Sequence, residues 1–455
     1  MDGELPGRRP TPDGRAMGLR AMPFGAGRSS ILAMLALGLV LAACREKREP
    51  AREHASEQAS ARDSSAPAGG QPARSAAAAN KTDGSGRTVE APPGGDGGRA
   101  GPAATASEKA EKLVILAGGD VNLGRTCGQQ ILKDPGYNPF KELGALFSSA
   151  DLRFVNLESQ LSDQNGETQS RANRLIFTGP PGGADVLKNA GIDLVSLANN
   201  HAWDYGKKAF LETLANLGRA GVPFVGASEE RGRQYEPTII NVKGWRIAWF
   251  AVTSIWNQGP FDDHPAKDHV AWTRFDILND KLLRARKEND VVILSHHGGS
   301  EYVEVPMQWT REFVKPVMRA GVDAIVGHHP HVPQGVGWQG GRPIFYSLGN
   351  LVFAMHSDYP WTGTGFFARL TFYRDGRREV EACPYDILGH VPTLFSGDTK
   401  AARENAFAQH LRYVSVAAGR SEVGPPGELS CMPLEPPTPK AGPAALARAR
   451  NEKDG

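Results

Sequence analysis

The chain has 455 residues, room for one large or two ordinary domains, and a formal net charge of +2. So balanced a charge excludes a dedicated nucleic-acid binder, which concentrates basic residues on one face, and no nucleic-acid partner is expected. The 40% hydrophobic content is unevenly spread, and that unevenness divides the chain.

Residues 1–43 read as an export signal. Arg8, Arg9, Arg15, Arg20 and Arg28 form a basic lead before the apolar run "ILAMLALGLVLAA", Ile31–Ala43. The run is shorter than the about 20 residues a membrane-spanning helix needs, and it fits the apolar segment of a signal peptide. A start at Met17 or Met22 would give a lead of ordinary length. Leu41, Ala42, Ala43 and Cys44 resemble a bacterial lipobox. That makes Cys44 the lipidated first residue of a mature chain anchored to a membrane, in the cell envelope and outside the cytoplasm.

Residues 44–111 lack periodicity and hold almost no large apolar side chain, as in "ASARDSSAPAGGQPARSAAAAN". Such a stretch cannot bury enough surface to offset the entropy of ordering, so it reads as a disordered tether. Beyond Cys44 only Cys127, Cys383 and Cys431 remain. The odd number and the missing CxxC speak against a disulfide framework, although an exported location permits one bridge.

From Lys112 the character changes. "KLVILAG", "DLRFVNLE", "GIDLVSLANNH", "DVVILSHHGG", "GVDAIVGHHPHV" and "RPIFYSLGN" are short aliphatic runs that end in polar residues. Runs apolar nearly throughout predict strands covered on both faces. Helical patterns lie between them, in "GADVLKNAG", in "GKKAFLETLANLGRAG" and in "MQWTREFVKPVMRAG", where Pro316 is expected to kink or break the helix. Asp204 precedes the second of these and is expected to cap it. Hairpins are predicted at Lys243-Gly244 and Asp375-Gly376. Parallel crossovers mixed with hairpins predict an α/β fold: two facing mixed β-sheets flanked by helices, over residues 112–387. Residues 388–455 read as a partly disordered extension, with one helix around "TKAARENAFAQHLRYV" and a Pro-rich, then charged, end.

In α/β sheets the carboxyl ends of the strands share one edge, where ligands bind. Here that edge would collect Asp120 and Asn122, Asn156 and Glu158, Asn199, Asn200, His201 and Asp204, His296 and His297 with Glu301 further on, His328, His329 and His331, and Asn350. Six of the chain's 12 histidines directly follow aliphatic runs, and two further runs end at a carboxylate. That pattern points to a metal site. The mixed oxygen and nitrogen donors suit a divalent transition metal, Mn, Fe or Zn. There are candidates enough for one or two ions, and paired ions are a standard device for phosphoester hydrolysis.

"GDVNLGR", "VNLESQLS", "SLANNHAWDYG", "GVPFVGA", "GHHPHVPQGV" and "YSLGNLVF" follow, in order, the blocks of the bacterial capsule-synthesis CapA family, associated with poly-γ-glutamate synthesis. The resemblance covers roughly Leu113 to Ile387. It implies a metallophosphoesterase-like four-layer sandwich with metals at the loop ends. It further implies Asp120, Glu158 as the bridging carboxylate, Asn200, His296, His329 and His331 as ligands, with His201 beside them as a proton donor. The chain departs from ordinary metallophosphoesterases, which begin Asp-x-His, because it has Asp120-Val121-Asn122. The family's "HWGxEY" appears one residue longer, as "HHGGSEY", which leaves His296 and His297 as alternatives. Arg125 is either a solvated loop residue or an anion contact beside the metals.

Two functions fit. One is a membrane-anchored metal-dependent hydrolase that acts on a phosphoester or an anionic polymer, with membrane polymer-synthetase partners. The other is a non-catalytic factor that binds such a polymer and helps assemble, export or anchor it. A solute-binding lipoprotein would share the anchor and tether and leave the histidines unexplained.

Overall fold

In the computed structural model, residues 111–355 and 359–438 are described. The export signal, Cys44 and the tether up to residue 110 lie outside them, as does the charged C-terminal end. Among the described residues, two large sheets of 10 and 6 strands hold the fold. In chain order the elements used below are β1 (Lys112–Val121), α1 (Arg125–Lys133), β2 (Leu152–Leu157), α2 (Gly183–Asn189), β3 (Leu194–Ser196) and α3 (Gly206–Ala220). Then come β4 (Thr238–Val242), β5 (Trp245–Thr253), α4 (Phe275–Glu288), β6 (Val291–His297), α5 (Gln308–Arg319), β7 (Ala324–His328) and β8 (Arg342–Phe345). Last are β9 (Asn350–Val352), β10 (Thr364–Tyr373), β11 (Arg378–Leu388), α6 (Lys400–Ala418) and β12 (Met432–Glu435).

In the larger sheet β1 is central. It runs parallel to β2 and antiparallel to β10, and β2 is parallel to β3. In the smaller sheet β5, β6, β7 and β8 are parallel neighbours, and β4 pairs antiparallel with β5. Both expected hairpins form, β4–β5 and β10–β11.

The two sheets face each other. Phe154 of β2 stacks on Trp249 of β5 with ring centroids 4.3 Å apart. Strand side chains alternate between faces, and the smaller sheet shows it plainly. Ile247, Trp249, Val291, Ile293, Ala324 and Val326 point into the core shared with the larger sheet. Their neighbours Ala248, Phe250, Val292, Leu294 and Ile325 pack instead with Leu278 and Leu282 of α4 and Val314, Val317 and Met318 of α5. On the larger sheet's side, Leu187 of α2 and Phe210, Leu214 and Leu217 of α3 join the main core. The expected α/β architecture of two mixed sheets flanked by helices is therefore present.

Two local expectations are corrected. α5 runs unbroken through Pro316. Proline there removes one N–H bond and costs about 3 kcal/mol. Burial of Val314, Val317 and Met318 contributes roughly 2 kcal/mol each and outweighs it. The stretch beyond Ile387 is also more ordered than its composition suggests. α6 forms where a helix is expected, but the Pro-rich segment after it supplies β12, which pairs antiparallel with β11. A Cys383–Cys431 disulfide, across a separation of 48 residues, fastens the two strands.

Among the described residues no helix is long and apolar enough to cross a membrane.

Candidate metal centre

Parallel pairing brings the strand ends to one edge. Asp120 of β1 is in register with Asn156 of β2 on one side and with Asn350 of β9 on the other. The approach of β9 is close: a Cβ on Gly119 would stand 2.0 Å from the Gly349 carbonyl oxygen, so only glycine fits beside Asp120. In the smaller sheet His297, the last residue of β6, is paired with His328, the last of β7.

Asp120 is fully buried. Its Oδ1 accepts from Asn156 Nδ2 at 2.9 Å, and its Oδ2 accepts the His329 backbone N–H at 3.1 Å. His328 Nδ1 lies 3.3 Å from Oδ1 and His331 Nδ1 lies 3.5 Å from Oδ2. Burial alone would raise this carboxyl, but the two imidazoles outweigh it and hold it well below the usual carboxylate range.

Glu158 is fully buried, yet neither carboxylate oxygen has a hydrogen-bond partner. Around its Oε1 stand His297 Nε2 at 3.5 Å, His331 Nε2 at 3.8 Å and His201 Nε2 at 4.0 Å. Burial, then the nearby charges of Asp120 and Glu301, push the Glu158 carboxyl well above its ordinary value. A buried carboxylate without a partner costs several kcal/mol when charged, so Glu158 would hold either a proton or a cation.

The donors around it are already oriented. His331 Nδ1 pairs with Asn350 Oδ1 at 2.9 Å, which turns Nε2 toward Glu158. Asn350 is fixed in turn, since its Nδ2 donates to the carbonyls of His331 and Thr362. Asn200 Oδ1 lies 2.8 Å from His297 Nε2, while its Nδ2 donates to Asn257. Asn156 Nδ2 reaches His297 Nδ1 at 3.1 Å. The Asn350 contact behind His331 sets that ring's direction and tautomer, with the Nε2 lone pair toward Glu158. His329 and His331 sit at φ +96° and +58° on either side of Pro330. This strained backbone aims both imidazoles inward, and strain of that kind concentrates at functional sites. His329 Nδ1 is buried without a partner, and burial, reinforced by His331, pushes its pKa down to about 3.

Ligand atoms of Asp120, Glu158 and His331 lie within 4.8 Å of one another, and so do those of Glu158, His297 and His329. Glu158 belongs to both groups, the place a bridging carboxylate would take. The cluster is compatible with divalent metal binding.

Of the residues expected here, Asp120, Glu158, Asn200, His201, His329 and His331 do converge. His296 does not. β6 alternates, so with Val291 and Ile293 facing the shared core, His297 faces it too and His296 faces the helices. His296 Nε2 lies 3.2 Å from Ser254 Oγ, and its ring packs against Phe313 of α5. His297, not His296, faces the cluster.

Asp204 does not cap α3, whose N-cap is Tyr205 without a side-chain bond. Its Oδ2 lies 2.8 Å from His201 Nδ1 and accepts the Phe177 N–H at 3.0 Å. The Phe177 ring stacks on His201 at 4.2 Å. The Asp204 carboxylate therefore orients His201, and its Nε2 faces Glu158.

Arg125 is not a solvated loop residue. It is 9% exposed, donates from Nη1 to the Ala354 carbonyl at 3.0 Å and lies over the Phe177 ring. It lines a pocket of about 220 Å³ above the cluster, together with His201, His331, Glu301, Tyr302 and Arg174. Cys127 is buried, and burial pushes its thiol up to about 12, so it offers no thiolate. Asn156 and Asn350 stand at strand ends in the sequence, but nothing there marks them as supports. Arg174 comes from a loop without any strand pattern.

Residues 114–355 match the family model of the bacterial capsule synthesis protein PGA_cap. The chain belongs to the PGA_cap family. This PGA_cap member is 28% identical over 284 residues to the PGA biosynthesis protein CapA of Bacillus subtilis (strain 168), covering 62% of this chain and 73% of that protein. It is 29% identical over 289 residues to the capsule biosynthesis protein CapA of Bacillus anthracis, covering 62% and 69%. Among solved structures, the NAD nucleotidase of Haemophilus influenzae aligns at 15% identity with a TM-score of 0.37, over 69% of this chain and 64% of that one.

Proposed function

We propose that this PGA_cap member is a metal-dependent, hydrolase-like protein of the cell envelope. It acts in the synthesis, export or anchoring of an anionic capsular polymer such as poly-γ-glutamate, alongside membrane polymer synthetases. The kinship with the two CapA proteins supports the polymer. The site reading rests on one observation: Glu158 is buried among three imidazoles with both oxygens unpartnered.

Asp120, Glu158, Asn200, His297, His329 and His331 would hold one or two ions of Mn, Fe or Zn. When bound, such ions supply Lewis acidity toward a phosphoryl or carbonyl oxygen. The chain's own residues do the rest. Arg125, with its Nε unpartnered, orients an anionic group in the pocket above the cluster. His201 holds a proton at Nε2 for the leaving group, and Asp204 steadies the ring and the charge it carries. Phe177 covers one face of that ring and keeps water from it.

Asn122 favours a second reading. Its Oδ1 accepts the Gly124 N–H at 2.7 Å and so serves its own loop, at the position where ordinary metallophosphoesterases carry a histidine ligand. A polymer-binding assembly factor tolerates that change better than an enzyme does. Purified protein assayed on phosphomonoesters, phosphodiesters and γ-glutamyl polymer, with Mn²⁺, Zn²⁺ or chelator, separates the two. Metal-dependent turnover abolished by His201→Ala supports the hydrolase. Polymer binding without turnover supports the assembly factor.

The envelope location rests on the sequence around Cys44. Cys44→Ser is expected to move the protein from the membrane fraction to the soluble exported fraction. Retention in the membrane would contradict it.

A further inference from the structure

We propose that Glu301 is a metal ligand of this chain, reaching the His329 and His331 imidazoles from the pocket side. The proposal rests on the metal reading above. Glu301 stands on the loop that follows β6, and that loop is fastened to the His329-Pro330-His331 turn. Gly298 N–H donates to the His328 carbonyl at 3.0 Å, and Tyr302 N–H donates to the Pro330 carbonyl at 2.8 Å. Gly299 makes the close approach possible. Its φ is +116°, and a Cβ there would stand 3.2 Å from Pro330 Cγ.

Held this way, a Glu301 carboxylate oxygen, a His329 nitrogen and a His331 nitrogen all lie within 4.8 Å of one another. Independently of that distance, His329 Nδ1 and both oxygens of Glu158 are buried atoms without a hydrogen-bond partner, as ligand atoms awaiting a cation would be. Three carboxylates, of Asp120, Glu158 and Glu301, meet here, and Arg125 and Arg174 line the pocket beside them. Dications would neutralise that excess. Glu301 is exposed, so its carboxylate can be removed without opening the core.

The test is Mn²⁺ titration of the full chain, with free Mn²⁺ read by electron paramagnetic resonance and retained metal by elemental analysis after desalting. Glu301→Gln and Glu301→Ala are expected to weaken one class of Mn²⁺ site tenfold or more, or to lose one ion per chain. Glu301→Asp should recover part of the affinity, and melting in excess chelator should match wild type. If wild type binds Mn²⁺ and both Glu301 variants titrate identically to it, Glu301 is not a ligand, while the metal reading stands. If wild type binds neither Mn²⁺ nor Zn²⁺, the metal reading fails and Glu301 falls with it.

Discussion

His201 Nδ1 and Asp204 Oδ2 lie 2.8 Å apart, three residues apart on one turn, and the pairing directs His201 Nε2 to within 4.0 Å of Glu158 Oε1. A carboxylate behind an imidazole fixes its orientation and stabilises the imidazolium that forms when it takes a proton. Asp204→Asn keeps the shape and removes that charge. In the hydrolysis assay it should lower kcat by about 100-fold, within the range general acid–base groups contribute. KM and metal content should stay near wild type. A variant that loses metal would show that Asp204 supports the ligands rather than His201.

Adjacent histidines of β6 face opposite ways, so their replacement should have opposite signatures. His297→Ala should release metal, because His297 Nε2 lies beside Glu158 and Asn200. His296→Ala should retain metal and cost about 1–3 kcal/mol of stability, as truncation of a buried side chain does. Elemental analysis and denaturant melts of both variants decide it, and metal loss in His296→Ala alone would reverse the assignment.

The Cys383–Cys431 bridge closes a loop of 48 residues that contains α6. Loop-closure entropy for that length corresponds to about 4 kcal/mol. Cys383→Ser with Cys431→Ser should therefore melt lower than wild type by a comparable free energy and release β12 to proteolysis. Metal content should not change, because the bridge joins strands away from Glu158. Equal melting of variant and wild type would show that the bridge does not form.

Much of the site is legible in the sequence, for a physical reason. Asp120, Glu158, Asn200, His201, His329 and His331 each follow an aliphatic run, and parallel pairing carries the ends of such runs to one edge. His296 and His297 could not be told apart, because β6 is apolar on both faces and alternation then leaves no polar marker. Asp204 sits where a helix cap belongs, and only the arrival of Phe177 and His201 gives it another partner. Arg125 is buried by Phe177 and Phe353, which are distant in the chain. β12 is short and Pro-rich, and its order comes from a pairing and a disulfide that local composition does not reveal.

The measurement that bears most directly on the metal centre is metal content with thermal melting, in the presence and absence of chelator, for wild type and for His329→Ala with His331→Ala. A ligand that binds only the native state adds stability as the logarithm of its concentration over Kd, about 2.7 kcal/mol at 100 Kd. Wild type should carry at least one transition-metal ion per chain and melt lower in chelator. The double variant should lose at least one ion and show a smaller chelator effect. Wild type without transition metal that melts identically in chelator would contradict the metal centre and leave the polymer-binding reading.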